Sequence, residues 1–338
     1  MTTTLPVVLY EFPVSPFCIK TENMLLLKNI PHKRVIVNPE PPRPELIDDL
    51  GIAYRRIPLL AIGRDIYCDS SLIAEALERR FSAEYGHPTL FPSKTGGGKG
   101  DTGLIKALAR SHVDITLFAL AIVFLPWASL PQSFLDDRAK LMGAPIVPAE
   151  WEKREPETLS TLRAHLAQIE EQLADGRDWL YDTTEPGFGD IATHFIVNWI
   201  HVGLPLASSL FADGEVPCIL SWLGRMNSFL EERKANGAGA FDMISGGEAT
   251  ALVRDLSDDT LEPITFDTKE GERLGLPKGT VAAVISEGAG AYPGDNETVG
   301  QLVGLSRTEF VLLTTGGATT THCHFPRLGF RAYKHQTA

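Results

Sequence analysis

Ser15, Pro16, Phe17 and Cys18 stand together after the short apolar run PVVLYEF at 6–12. A serine three residues before a cysteine permits three readings: a dithiol pair without its first sulfur, a helix start, or a hydroxyl placed to meet a thiol from another molecule. Pro16 suits the first position of a helix, where its missing N–H would be unpaired anyway. Ser is a favoured N-cap whatever else it does. Cys18 reads as a buried structural sulfur, with a reactive thiol as the alternative. Ile57-Pro58 is by itself a loop dipeptide, and Asp69-Ser70-Ser71 before an apolar pattern is an ordinary helix start. His322 and His324, two apart on a predicted strand, share a face, as metal ligands can. No third ligand lies near them in sequence, so no metal site is expected. The run GGGKG at 96–100 lacks the spacing of a phosphate loop and the Ser or Thr after its lysine.

The elements that must position these residues follow from periodicity. Strands are predicted at 6–12, 32–38, 57–63 and 65–69, with helices at 16–29 and 70–81. In the second helix Leu72, Ile73, Ala76 and Leu77 fall at helical spacing. The order β-α-β, turn, β-β-α fits a thioredoxin-like α/β domain over residues 1–85. Gly, Pro and Ser mark 82–103 as a linker. An all-helical domain follows over 101–240, with helices predicted at 104–125, 130–142, 150–174, 188–211 and 216–234. Short alternating runs separated by Gly, Pro, Asn and Asp make 250–338 a β-rich accessory module with antiparallel strands.

The 338 residues carry 31 Lys and Arg against 43 Asp and Glu, a net charge of −12. That sign, without a basic stripe or zinc-finger spacing, argues against nucleic acid as a partner. The N-terminus lacks the pattern of a signal peptide. The longest apolar run, 117–127, is too short to span a bilayer, so no membrane partner is expected. Four scattered cysteines, at 18, 68, 218 and 323, read as thiols in a reducing compartment, and a cytoplasmic location is expected.

The segments LYEFPVSPFCIKTENMLLLKNIPH and YRRIPLLAIGRDIYCDSSLIAEALERRF, followed by a helical half containing LAQIEEQLADGRDWLYDTTEPGFGDIATHFIVNWI, resemble cytosolic glutathione S-transferases of the serine type. The resemblance covers roughly residues 5 to 235. The tail, with HFPRLGF at 324–330, resembles the extra C-terminal module of a fungal subgroup of such proteins. The resemblance implies glutathione as cofactor, a small electrophile as the other partner, and a homodimer. It places Ser15 as the hydroxyl that activates the glutathione thiol. It gives Ile57, before a cis Pro58, the cysteinyl backbone of glutathione, and Asp69 and Ser70 the γ-glutamyl end. Arg56 stands near the glycyl end. Arg110, His112 and Asp114 lie on the first helix of the second domain, which borders the electrophile pocket in that family, and Phe17 and Phe118 are its apolar wall. The tryptophans read mostly as core. One departure concerns folding: Gly187 stands where a Ser or Thr N-cap is usual, so only Asp190 remains of that capping box.

Three functions stay open on the sequence. One is a glutathione transferase acting through Ser15. Another is an isomerase or an elimination or ring-opening enzyme of secondary metabolism on the same fold, suggested by the insert at 128–151 and the tail. A noncatalytic binding protein is the third. Thiol–disulfide exchange is disfavoured, because Ser15 cannot form the mixed disulfide that reaction needs.

Overall fold

Strand β1 (Val7–Glu11), helix α1 (Pro16–Leu27) and strand β2 (His32–Ile36) form a parallel β-α-β unit. Strands β3 (Leu59–Ile62) and β4 (Asp65–Cys68) and helix α3 (Ser70–Arg80) complete it, with β3 antiparallel to both β1 and β4. These elements come from a computed structural model that describes residues 5–212, 214–256, 262–287, 296–317 and 319–336. The predicted order therefore holds, with one addition. Helix α2 (Pro44–Leu50) follows the Pro-rich turn, starting on Pro44 and ending at Gly51, whose φ of +70° suits a residue without a Cβ. Along β1, Val7 and Leu9 face one core and Val8 and Tyr10 the other, so both faces of the sheet are covered.

The helical half contains α4 (Gly103–Phe124) and the helices Gln132–Met142, Glu155–Leu173, Phe188–Asn198 and Pro217–Ala235. The helix predicted over 188–211 breaks at Leu204, before Pro205, and resumes as a 3-10 segment. The apolar run at 117–127 overlaps the end of a longer element, which stops at Phe124. Helix α4 has 22 residues and a best-window mean hydropathy of 1.6, so by length and composition it is long and apolar enough to cross a membrane. It carries Lys106, Arg110 and Asp114, each ion-paired within the fold. The lone Asp190 of the capping box is explained by crowding. A Cβ on Gly187 would lie 2.7 Å from Pro92 Cδ and 2.8 Å from the Leu90 carbonyl oxygen. Asp190 still accepts from the N–H groups of Gly187 and Leu180 and from the Trp222 indole. Its burial raises the carboxyl to about 6.

Strands β5 (Phe241–Met243), β6 (Val281–Ser286), β7 (Thr298–Leu305), β8 (Glu309–Thr315), β9 (Thr320–Pro326) and β10 (Phe330–Lys334) all join the same sheet, in the order β10-β6-β7-β8-β9-β4-β3-β1-β2-β5. The C-terminal β module, β6–β10, is antiparallel within itself and pairs with β4 through a parallel β9. Strand β5 and the short helices Gly246–Arg254 and Thr268–Leu274 were not predicted; a three-residue edge strand has too little periodicity to read. The module and the N-terminal unit share a core in which Leu59, Ile66 and Cys68 meet Leu312, Cys323 and Phe325. The Cys68 and Cys323 sulfurs lie 3.7 Å apart.

The β8–β9 turn also docks on the end of α2. Gly317 donates to the Asp48 carbonyl at 2.6 Å, and a Cβ on Gly316 would lie 2.1 Å from the Asp49 carbonyl oxygen. Gly316→Ala is therefore expected to lower the unfolding free energy by about 1–3 kcal/mol, the usual cost of overpacking. Urea denaturation reads this, and an unchanged midpoint would contradict the close approach.

Candidate active site

Ser15 is the N-cap of α1 by backbone geometry. It is buried, and its carbonyl accepts from the N–H groups of Cys18 and Ile19 at 3.0 and 3.1 Å. Its hydroxyl, however, makes no capping hydrogen bond. The helix thus starts with Pro16 and without a cap from the serine side chain. Burial pushes the Cys18 thiol up to about 12, with hydrogen bonding from the Ser15 side chain and the Phe12 backbone opposing it. A thiol held that high is protonated at neutral pH, which disfavours Cys18 as a nucleophile.

The other predicted site residues come from three elements. The Ile57–Pro58 peptide is cis. Ile57 lies outside the β3 ladder, which begins at Leu59. Among the described residues its backbone N–H makes no turn or loop hydrogen bond. Asp69 caps α3 with a φ of +76°, and its Oδ1 accepts from the Ser71 N–H at 2.9 Å and from the Ser71 hydroxyl at 2.5 Å. Arg110, from α4, donates to Ser71 Oγ at 3.1 Å and lies 3.8 Å from Asp69 Oδ1. Its other terminal nitrogen donates to the Leu328 carbonyl, so the β9–β10 turn of the C-terminal module borders this corner.

Beneath the corner lies a residue that sequence reasoning missed. Lys20, on α1, is fully buried; its ammonium donates to both carboxylate oxygens of Asp114 at 2.8 Å and to Ser70 Oγ at 3.3 Å. It also lies 5.3 Å from the ring centroids of Phe188 and Phe195. The signal was a lone lysine among Cys18, Thr21, Met24 and Leu25, on the face that packs inward. Burial raises the Asp114 carboxyl to about 6, with the Lys20 charge and hydrogen bond opposing. Arg110 and Asp114 share a π-helical stretch, Ala109–Leu117, of a kind often found at functional sites. His112 is on the same stretch but meets the His165 ring edge to face, with centroids 5.0 Å apart.

Phe17 and Phe118 meet edge to face at 4.8 Å. Two more aromatics join this cluster: Phe195, 5.2 Å from Phe17, and the half-buried Trp199, stacked 6.0 Å from Phe118. Arg56 is exposed and makes no hydrogen bond within the described residues. Its neighbour Arg55 turns inward to an ion pair with Asp137 in the insert.

Residues 9–85 match the sequence family described as glutathione S-transferase, N-terminal domain, and residues 124–235 match a domain of unknown function, DUF7962. No curated protein gives a significant match. A GST-like protein from Pseudomonas syringae is 25% identical in sequence, with a TM-score of 0.70 over 97% of this chain and 100% of its own. The β-etherase LigF from Sphingobium sp. strain SYK-6 is 18% identical, with a TM-score of 0.50 over 69% of this chain and 100% of its own. Rice OsGSTU1, solved in complex with glutathione, is 18% identical, with a TM-score of 0.50 over 76% of this chain and 99% of its own. The fold is GST-like: a thioredoxin-like N-terminal domain and a helical domain, with β6–β10 added. The likeness to the Pseudomonas syringae protein takes in nearly the whole chain, the C-terminal module included.

Proposed function

We propose that the chain is a glutathione transferase in which Ser15 holds the glutathione thiol as a thiolate for attack on a small apolar electrophile. The observation that carries this reading is the Ser15 side chain at the start of α1, which makes no capping bond and lies within hydrogen-bond reach of a sulfur, that of Cys18. Glutathione supplies the nucleophilic sulfur, and the chain's own residues orient and ionise it. Three features fit the tripeptide. Among the described residues the Ile57 N–H, next to cis Pro58, makes no turn or loop hydrogen bond. Asp69 offers a carboxylate for the γ-glutamyl ammonium. Arg110, Ser70 and the start of α3 offer donors for the neighbouring carboxylate.

The magnitudes suffice. The amides and dipole at the start of α1 favour a nearby negative charge by about 0.3–1 kcal/mol, and at most about 2. A hydroxyl hydrogen bond to a charged sulfur adds about 1.5–3 kcal/mol. Together these are of the order of 2–4 kcal/mol, or roughly 1.5–3 pKa units. A thiol of ordinary pKa near 8.5 would then ionise around neutrality. The Phe17, Phe118, Phe195 and Trp199 cluster offers the electrophile an apolar surface.

The direct test is calorimetric titration with glutathione, followed by mass analysis of the product formed with an activated aryl halide. Binding and a conjugate heavier by one glutathione support the reading; no binding at millimolar glutathione contradicts it. Arg110→Ala is expected to weaken glutathione binding at least tenfold, since a hydrogen bond to a charged group is worth about 1.5–3 kcal/mol. Equal affinity in that variant would remove Arg110 from the site.

A further inference from the structure

We propose that Asp65, His322 and His324 form a site for a divalent transition-metal cation of the zinc type, clamping the C-terminal module to the N-terminal domain. The third ligand that sequence could not offer comes from 257 positions away, because β9 pairs in parallel with β4. That register sets Asp65 beside His322 and Tyr67 beside His324. All three candidate ligands therefore share one face of two adjacent strands.

The donor atoms converge. Asp65 Oδ1 lies 3.1 Å from His324 Nε2 and 3.4 Å from His322 Nδ1, and the three atoms are within 4.8 Å of one another. Zinc–nitrogen and zinc–oxygen bonds of about 2.0–2.2 Å place ligand atoms no more than about 4 Å apart. Both carboxylate–histidine edges already meet that limit.

The outer partners of Asp65 and His324 turn their inner atoms toward each other, Oδ1 and Nε2 lying at hydrogen-bond distance, 3.1 Å, with His322 Nδ1 beside them. Asp65 Oδ2 is occupied by Arg80 at 2.9 Å and the Glu262 N–H at 2.8 Å, so Oδ1 faces the histidines. His324 Nδ1 is held by Glu309 at 2.9 Å, the carboxylate–histidine arrangement that orients metal-binding imidazoles. With its proton on Nδ1, a neutral His324 turns the Nε2 lone pair toward the Asp65 oxygen. Two acceptors then face each other, an arrangement relieved by a cation or by a second proton on the ring. His322 Nδ1 is buried without a hydrogen bond, and the residue is 9% exposed. Asp65 and His324 are fully buried. His322 is thus the rim through which a cation would enter and the ligand free to adjust. Two imidazoles and one carboxylate are a borderline donor set suited to zinc, with a fourth position left for water.

The test uses the full chain after dialysis against chelator, titrated with zinc sulfate in competition with a chromophoric chelator. One equivalent is expected to bind with submicromolar affinity and to raise the melting temperature. His322→Ala and His324→Gln are each expected to weaken it at least a hundredfold and abolish the thermal shift. His322→Ala decides the matter if His324→Gln fails to fold, because His322 is the more exposed of the two histidines and its Nδ1 makes no hydrogen bond among the described residues. Failure to bind one equivalent would mean that a second proton on His324 occupies the gap, and it would overturn the proposal. So would undiminished binding in His322→Ala. Neither outcome bears on glutathione binding, which is read separately.

Discussion

Ser15→Ala is expected to lower the rate of glutathione conjugation at neutral pH at least tenfold while leaving the urea midpoint nearly unchanged. The two readouts separate the roles a serine can play at this position. A serine that caps its helix typically costs about 1 kcal/mol of stability when cut to alanine. The Ser15 hydroxyl makes no capping bond, so that loss is not expected. A hydroxyl that stabilises a thiolate loses about 1.5–3 kcal/mol of charged hydrogen bond instead. The deficit should therefore appear as an upward move of roughly 1–2 units in the apparent pKa of the pH–rate profile. A variant that loses stability but keeps its rate would return Ser15 to a purely structural role.

Lys20→Met is expected to destabilise the protein by about 3–5 kcal/mol at pH 8, the cost of leaving a buried charge without its partner. Asp114, Ser70 and the aromatic rings around the ammonium leave water no ready route to replace it. The pH dependence fixes the cause. In the wild type the folded chain holds the Asp114 proton up to about pH 6, against an ordinary carboxylate value of 3.8. Between those values the folded state binds more protons than the unfolded state, so this group's contribution to stability falls as pH rises through the window. Removing Lys20 withdraws what opposes burial, so the carboxyl rises further and the window extends upward. The deficit of Lys20→Met should then be largest at pH 8 and shrink toward pH 5, where Asp114 is neutral. Urea denaturation at the two values measures it, and a deficit independent of pH would assign the loss to packing alone.

The sequence was most legible where period and punctuation agree. The strands and helices of the first 85 residues carry clean periodicity, and Ser15, Pro58 and Asp69 mark loop or helix-start positions that local chemistry recognises. Lys20 was hidden because a single lysine in an amphipathic helix reads as solvated; its burial depends on Asp114, 94 residues later. The continuity of the sheet was hidden for a similar reason. The β6–β10 pattern predicts strands but not their neighbour, and the parallel pairing of β9 with β4 is decided by tertiary packing. Asp65 and His322 are brought together only by that pairing. Trp199 was read with the core tryptophans, and it packs half-buried against the core beside Phe118.

The account turns on where a bound thiol sits, and a crystal structure of the protein soaked with glutathione measures that directly. The expected result is sulfur within hydrogen-bond distance of the Ser15 hydroxyl, with the γ-glutamyl end against Asp69, Ser70 and Arg110. Glutathione bound with its sulfur facing solvent, away from Ser15, would contradict it.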